Sequence, residues 1–298
     1  MTAADEAILN FKPPSLGRLR LWLTLARVWH RPSFTGLENV DPTRPTLFVG
    51  NHTLYGVQDV PHILYELARV RGVYPRTLAD RAHFMVPVWR DILTAAGCVA
   101  GTRENCVALM RIRQPVMVFP GGAREVFKRR GEAYQLIWKE RLGFVRLAAA
   151  FGYTIVPFAS LGADESLQIV LDAGDLMNTP LGRLLRASGL AKQYLRDGEE
   201  LPPLVRGLGL TWLPRPEKFC VSFGHPISTS RYRRQTNDVE ALRELRGKVA
   251  SSIESQLAQL QHARRETKSE GAATRRVPAA WDELVAGFET QVDRVKRQ

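Results

Sequence analysis

Leu16–His30 carries apolar and basic positions at a helical period. Leu19, Trp22, Leu23, Ala26 and Trp29 take one broad side, and Arg20, Thr24, Arg27 and Arg31 line the other. Such a face predicts a helix that either lies in a membrane interface or packs back on the domain. The period then shortens. Residues 47–49 are an apolar, partly β-branched run that predicts a buried strand, ended by Gly50-Asn51-His52. Ile63, Leu64, Leu67, Ala68 and Val70 restore the helical period until Gly72 and Pro75 stop it. From there the pattern predicts strands at 77–79, 97–100, 115–119 and 153–159, with helices over 84–96, 103–113 and 138–151 between them. A basic amphipathic stretch recurs at 176–190, and residues 202–216 are apolar but broken by proline around Trp212. Residues 218–223 read as a late strand and 238–261 as a long helix. Residues 267–276 form a polar linker, after which Trp281, Val285, Phe288, Val292 and Val295 predict a last amphipathic helix.

Strands and helices alternating at this pitch predict an α/β fold, a mostly parallel central sheet flanked by helices. On this reading residues 1–35 are a membrane-contact segment, 36–262 the main domain, and 263–298 a linker and helical tail. Residues 142–161 are apolar enough to suggest a membrane span, but Arg146 and Gly152-Tyr153 divide them into a buried helix and a buried strand.

Composition adds a direction. The apolar fraction of 45% is that of an ordinary globular protein. The 42 Lys and Arg against 30 Asp and Glu leave +12, so anionic partners are expected: nucleic acid, an anionic membrane surface or a phosphate-bearing substrate. Cys98, Cys106 and Cys220 form an odd set without CxxC spacing, which predicts buried thiols in a reducing compartment rather than disulfides or metal ligands. The opening MTAADEAILNFK is acidic before it is basic and has no secretory pattern, so a chain that stays in the cytosol is expected.

The candidate chemistry lies where strands end. A predicted strand delivers His52 to a loop that also holds Asp59, and an imidazole with a carboxylate in reach is a candidate general base. The plainer reading of one His and one Asp is a chance pairing. No G-x-S-x-G elbow, P-loop or H-E-x-x-H is present, which disfavours serine-hydrolase, nucleotide and zinc chemistry. Arginine follows glycine at two further strand ends: Gly97-Cys-Val-Ala-Gly-Thr-Arg103 and Phe119-Pro-Gly-Gly-Ala-Arg-Glu125. Ligands collect outside the carboxyl ends of strands in an open α/β sheet, so these loops are expected to converge on His52.

In this order, Asn51-His52 with a downstream Asp, G-x5-R, F-P-x-G-x-R and a Val156-Pro157 strand resemble the four blocks of the glycerolipid acyltransferase superfamily. The Gly121-Gly122 form, with Arg103-Glu104-Asn105-Cys106 before it and residues 134–143 after it, is most similar to the neutral-lipid branch. That branch contains diacylglycerol acyltransferase type 2, transmembrane protein 68-like and phytyl ester synthase proteins. The resemblance covers residues 36–228, about two-thirds of the chain. Two departures bear on its use. Six residues rather than the usual four separate His52 from Asp59, which opens the orienting place to Gln58 as well. The third block commonly carries Glu where this chain has Gly121.

The resemblance implies an acyl-CoA-dependent O-acyltransferase acting on a lipid or long-chain alcohol at the cytoplasmic side of a membrane, with no cofactor and no metal. His52 would be the base, and Asp59 or Gln58 would fix its tautomer. Gly121 and Gly122 amides would bind the oxyanion, and Arg103 and Arg124 would bind anionic groups. Asn51 and Glu125 belong to the same substrate-binding set. Acyl carrier protein is an alternative donor, and a lysophospholipid acyltransferase of the 1-acylglycerol-3-phosphate type an alternative activity. A non-enzymatic basic protein on membrane or nucleic acid is the competing class, although no nucleic-acid fold signature appears. Plainer readings stand beside these. Arg103 pairs with a carboxylate at a helix start, Arg124 is structural, Gly121-Gly122 is an ordinary turn, Lys128-Arg129-Arg130 is a solvated charge run, and His62, His83 and His225 are structural.

Overall fold

Thr46–Gly50 is buried at every position, as a strand covered on both faces must be. The computed structural model in which it sits describes residue 8, residues 10–188 and residues 201–274. In chain order the helices are α1 (Leu16–His30), α2 (Val60–Arg71), α3 (Trp89–Ala95), α4 (Arg103–Arg111), α5 (Gly122–Val126), α6 (Gly143–Phe151), α7 (Ala163–Ser166), α8 (Ala173–Asn178), α9 (Pro180–Ala187) and α10 (Val239–Thr274). The strands are β1 (Ser33–Thr35), β2 (Thr46–Gly50), β3 (Arg76–Ala79), β4 (Val99–Ala100), β5 (Val116–Val118), β6 (Thr154–Leu161), β7 (Gln168–Leu171), β8 (Leu204–Arg206) and β9 (Cys220–Phe223).

Seven strands make one sheet in the order β1-β9-β6-β2-β5-β3-β4. β6, β2, β5, β3 and β4 are parallel, β9 runs antiparallel to β6, and β1 pairs parallel to β9. β7 and β8 form a separate antiparallel pair. The α/β fold with a mostly parallel sheet is therefore as expected. Its parallel strands point their carboxyl ends to one edge, which gathers the loops after β2, β5, β3, β4 and β6 there. Phe48, Met117, Val156, Phe158, Val221 and Phe223 from the sheet pack with Ile63 and Leu67 of α2. Leu242, Leu245, Val249, Ile253 and Leu257 bury one stripe of α10.

Compact units comprise Met1–Leu257 and Ala258–Gln298. Several expected boundaries move. Pro87 lacks the N–H a helix interior needs, so the predicted 84–96 helix splits into a 3-10 turn at Arg81–Met85 and α3. The predicted 138–151 helix starts only at Gly143, because Lys139 takes a left-handed φ of 50°. α10 continues to Thr274 through residues expected to be linker, and the tail from 275 onward lies outside the described residues. α1 packs inward through Leu19 and Leu23, while Leu21, Trp22, Leu25 and Val28 face outward. Among the described residues no helix is long and apolar enough to cross a membrane.

Candidate active site

β2 ends at Gly50 because the Phe158 ring lies over it; a Cβ there would sit 2.3 Å from that ring. Asn51 then prolongs the β2–β6 pairing with its side chain. Its Nδ2 donates to the Ser160 carbonyl at 3.0 Å and its Oδ1 accepts from the Ser160 N–H at 2.8 Å. Fully buried, Asn51 is a clamp on β6.

The backbone that follows is fixed atom by atom. The His52 N–H donates to Glu125 Oε1 at 2.8 Å, and the His52 carbonyl accepts from Lys128 Nζ. The Leu54 N–H donates to Asp164 Oδ1 at 2.6 Å, the Tyr55 N–H to the Val126 carbonyl at 3.3 Å, and the Gly56 N–H to the Thr53 carbonyl at 2.9 Å. Phe119 stacks on the imidazole at 4.3 Å between centroids and 26° between planes. Gly56 approaches from another side: a Cβ there would lie 1.9 Å from the imidazole Cε1, so the glycine makes room for the ring. Burial, reinforced by the Lys128 and His83 charges, lowers the His52 pKa to about 3. The imidazole is therefore neutral at physiological pH.

Three carboxylates surround this loop. Asp59 caps α2, its Oδ1 accepting from the Thr53 hydroxyl at 2.9 Å and the Val60 N–H at 3.1 Å. Burial pushes its pKa up against those hydrogen bonds. Among the described residues no hydrogen bond joins Asp59 or Gln58 to the imidazole. Gln58 Oε1 instead accepts from the Ser166 hydroxyl at 2.8 Å. Asp59 Oδ2 and His52 Nδ1 are both buried without a partner. Glu125 is fully buried and its pKa is raised to about 7, by burial against the pull of Lys128 and the His52 N–H. It holds the His52 backbone from within. Asp164 forms a buried pair with Lys128 at 3.0 Å.

The glycine-arginine loop is tighter than expected. A Cβ at Gly121 would meet Glu125 Oε2 at 1.6 Å, so the carboxyl of Glu125 fills the space where the related block carries a side chain at 121. Gly122 has a φ of 53°, faces the Arg141 guanidinium, and gives its N–H to the Phe119 carbonyl at 3.1 Å. Its amide is thus occupied, against the expectation of two oxyanion donors. Arg124 makes two hydrogen bonds to the Glu132 carboxylate, at 2.9 and 2.5 Å. Arg103 is exposed at the start of α4, beside Glu104. β4 lies three strand spacings from β2, roughly 14 Å, so Arg103 stands at the far end of the same edge.

Sequence reasoning missed Lys128, Asp164, Gly56 and Phe119. Lys128 opens a basic run whose other members are more exposed, and nothing local marks it as the buried one. Gly56 carries a signal, a glycine four residues after the key histidine. Beside the loop a cavity of about 280 Å³ is lined by Leu54, Lys128, Asp164, Leu167, Gln168 and Ile169, with Arg129 and Arg130 at its rim.

Similar sequences occur among known proteins. Phytyl ester synthase 1, chloroplastic, of Arabidopsis thaliana is 34% identical over 241 residues, which cover 78% of this chain and 34% of the relative. Phytyl ester synthase 2, chloroplastic, of the same plant is 32% identical over 235 residues, 73% of this chain and 32% of the relative. The human DGAT1/2-independent enzyme synthesizing storage lipids is 28% identical over 148 residues, 50% of this chain and 45% of the relative. The chain spans about a third of the length of the plant relatives it matches. The acyltransferase family model matches residues 31–161, the span that holds β2, the His52 loop, the β5 loop and β6. Over that span the chain is similar to the acyltransferase family.

Proposed function

We propose that this chain transfers a fatty acyl group from acyl-CoA to the hydroxyl of a neutral lipid or long-chain alcohol at a membrane surface. The observation that carries this reading is the His52 loop: a neutral imidazole between Phe119 and Gly56, its backbone gripped on both sides by Glu125 and Lys128. His52 takes the acceptor's hydroxyl proton as the oxygen attacks the thioester carbonyl. The C–S bond breaks, and the proton returns from the imidazolium to the departing thiolate. No covalent enzyme intermediate is needed. A positioned base is worth about 10² to 10⁴ in rate. Asp59, a buried carboxylate in the same loop, is the candidate to fix the tautomer, with His52 Nδ1 buried and without a partner to receive it. The Gly121 N–H is the loop's remaining candidate oxyanion donor. An acyl carrier protein is the alternative donor.

A neutral acceptor is favoured because Arg124 is engaged by Glu132 and a glycine stands at 121. The names of the plant and human relatives point the same way. Purified protein, radiolabelled acyl-CoA and a panel of long-chain alcohol, diacylglycerol and lysophosphatidate test this, with products identified by mass spectrometry. Ester should form on the neutral acceptors, and His52→Ala should lower its formation by about 10² to 10⁴. Full turnover by that variant would overturn the base assignment, and preference for lysophosphatidate would move the activity to the phospholipid branch.

A further inference from the structure

The segment from β8 to Pro214 is short, apolar and turned outward. Leu204, Leu208, Leu210, Trp212 and Leu213 are exposed, Trp212 at 81% of its surface. The outer stripe of α1 is equally bare, with Leu25 at 84%. The two surfaces are tied together, since the Trp29 indole N–H donates to the Pro214 carbonyl at 2.8 Å. At its other end the segment is tied to the candidate site, where the Tyr55 hydroxyl donates to the Pro203 carbonyl at 2.5 Å. Tyr55 itself belongs to the His52 loop and takes a left-handed φ of 60°, followed by Gly56 at 61°. β8 also pairs with β7, whose Gln168 and Ile169 line the cavity beside Leu54. One covalent stretch therefore joins the outer apolar surface, the cavity wall and the loop that carries the base.

Charge selects the occupant. Neither residues 15–31 nor residues 201–216 contain a single acidic residue, while Arg18, Arg20, Arg27, Arg31, Arg206 and Arg215 lie within them. Arg27 is paired with Glu66 at 3.6 Å, and the other five arginines rim a surface of Leu and Trp that fits an anionic lipid interface, where Trp settles at the headgroup level and each exposed Arg adds attraction.

We propose that residues 204–213 are a lipid-inserting arm which, with the outer face of α1, docks the chain on an anionic bilayer and hands a membrane-resident acceptor to the His52 site. This deepens the acyltransferase reading and rests on it for the identity of what is handed over; the docking itself does not. The segment touches both bilayer and active-site loop, so the acceptor need not cross water.

The full chain is incubated with phosphatidylcholine vesicles containing phosphatidylglycerol, some carrying brominated acyl chains. Brominated lipid should quench tryptophan emission, and Trp212→Phe should remove a distinct share of that quenching. Leu210→Asp with Trp212→Asp should weaken vesicle flotation by about tenfold or more at an unchanged melting temperature. Quenching and flotation indifferent to these changes would overturn the arm, even if ester forms normally. Ester formation failing on every acceptor while the arm variants still lose flotation would overturn the acyltransferase reading and leave the arm standing. A dimer that dissociates in the double variant, with no bromine quenching of Trp212, would assign the surface to a second copy and overturn the proposal.

Discussion

The His52 N–H donates to Glu125 Oε1, and the same carboxyl fills the space above Gly121. One side chain thus locks the loop after β2 against the loop after β5 and explains two sequence features, a glycine at 121 and a glutamate four residues on. Since Glu125 ionises near pH 7, its charge changes in the working range, and an anion there raises the basicity of the adjacent imidazole. The kcat/KM profile should rise through about pH 7 as Glu125 loses its proton. Glu125→Gln keeps an acceptor for the His52 N–H and should flatten that step at the low-activity level. Glu125→Ala leaves the N–H unpaired and should also cost about 1–3 kcal/mol in denaturant unfolding. An inflection that persists in the Gln variant would assign it to another group.

Gly56 faces the imidazole at a distance no side chain tolerates and at a φ of 61°. Gly56→Ala should displace the ring by about an ångström, and misplacement on that scale costs about 10²-fold in rate. The left-handed strain should add about 1–2 kcal/mol of destabilisation. Wild-type kcat in this variant would mean that the imidazole does not work from the position seen here.

The sheet and the His52 loop were legible because their signals are local: a β-branched run at 47–49 ending in Gly-Asn-His, and strands alternating with helices. What the loop holds on to was not. Lys128 finds the His52 carbonyl and Asp164 across 76 and 36 residues of sequence, and Gln58 finds Ser166 across 108. Such pairings are set by the strand order, which brings β2, β5 and β6 side by side, and no periodicity encodes them. The same limit hid the partners of Asn51 and Arg124, whose residue types suit a ligand as well as they suit Ser160 or Glu132. α1 satisfied both of its readings in part, because Leu19 and Leu23 face the core while Leu21 and Leu25 do not.

Lys128 and Asp164 are 2% and 3% exposed, so breaking their pair leaves an uncompensated buried charge. Lys128→Met should cost about 3–5 kcal/mol, measured by urea unfolding. Adding Asp164→Asn removes the stranded charge while keeping an acceptor for the Leu54 N–H, and should recover part of that loss. A cost below about 1 kcal/mol for the single variant would show that the pair does not hold the loop.

His62 lies in the seam between α1 and α2, edge-on to Phe219 at 6.0 Å, with Arg27 and His30 nearby. Its pKa is lowered to about 4, by burial first, then by the Arg27 charge and by the neighbouring His30, and its Nδ1 has no partner. The sign follows directly. Between the ordinary value of 6.5 and about 4 the unfolded chain binds a proton that the folded chain refuses, so stability is present above 6.5 and falls as pH drops through that window. At pH 5 this group alone should remove about 2 kcal/mol relative to pH 7. His62→Gln should lose that much less stability over the same interval, and comparing variant with wild type cancels the contributions of Glu125, Asp59 and His52. Parallel curves from chemical denaturation at pH 7 and pH 5 would show that His62 is protonated in the folded chain. The seam between α1 and α2 would then be more open to water than its packing here implies.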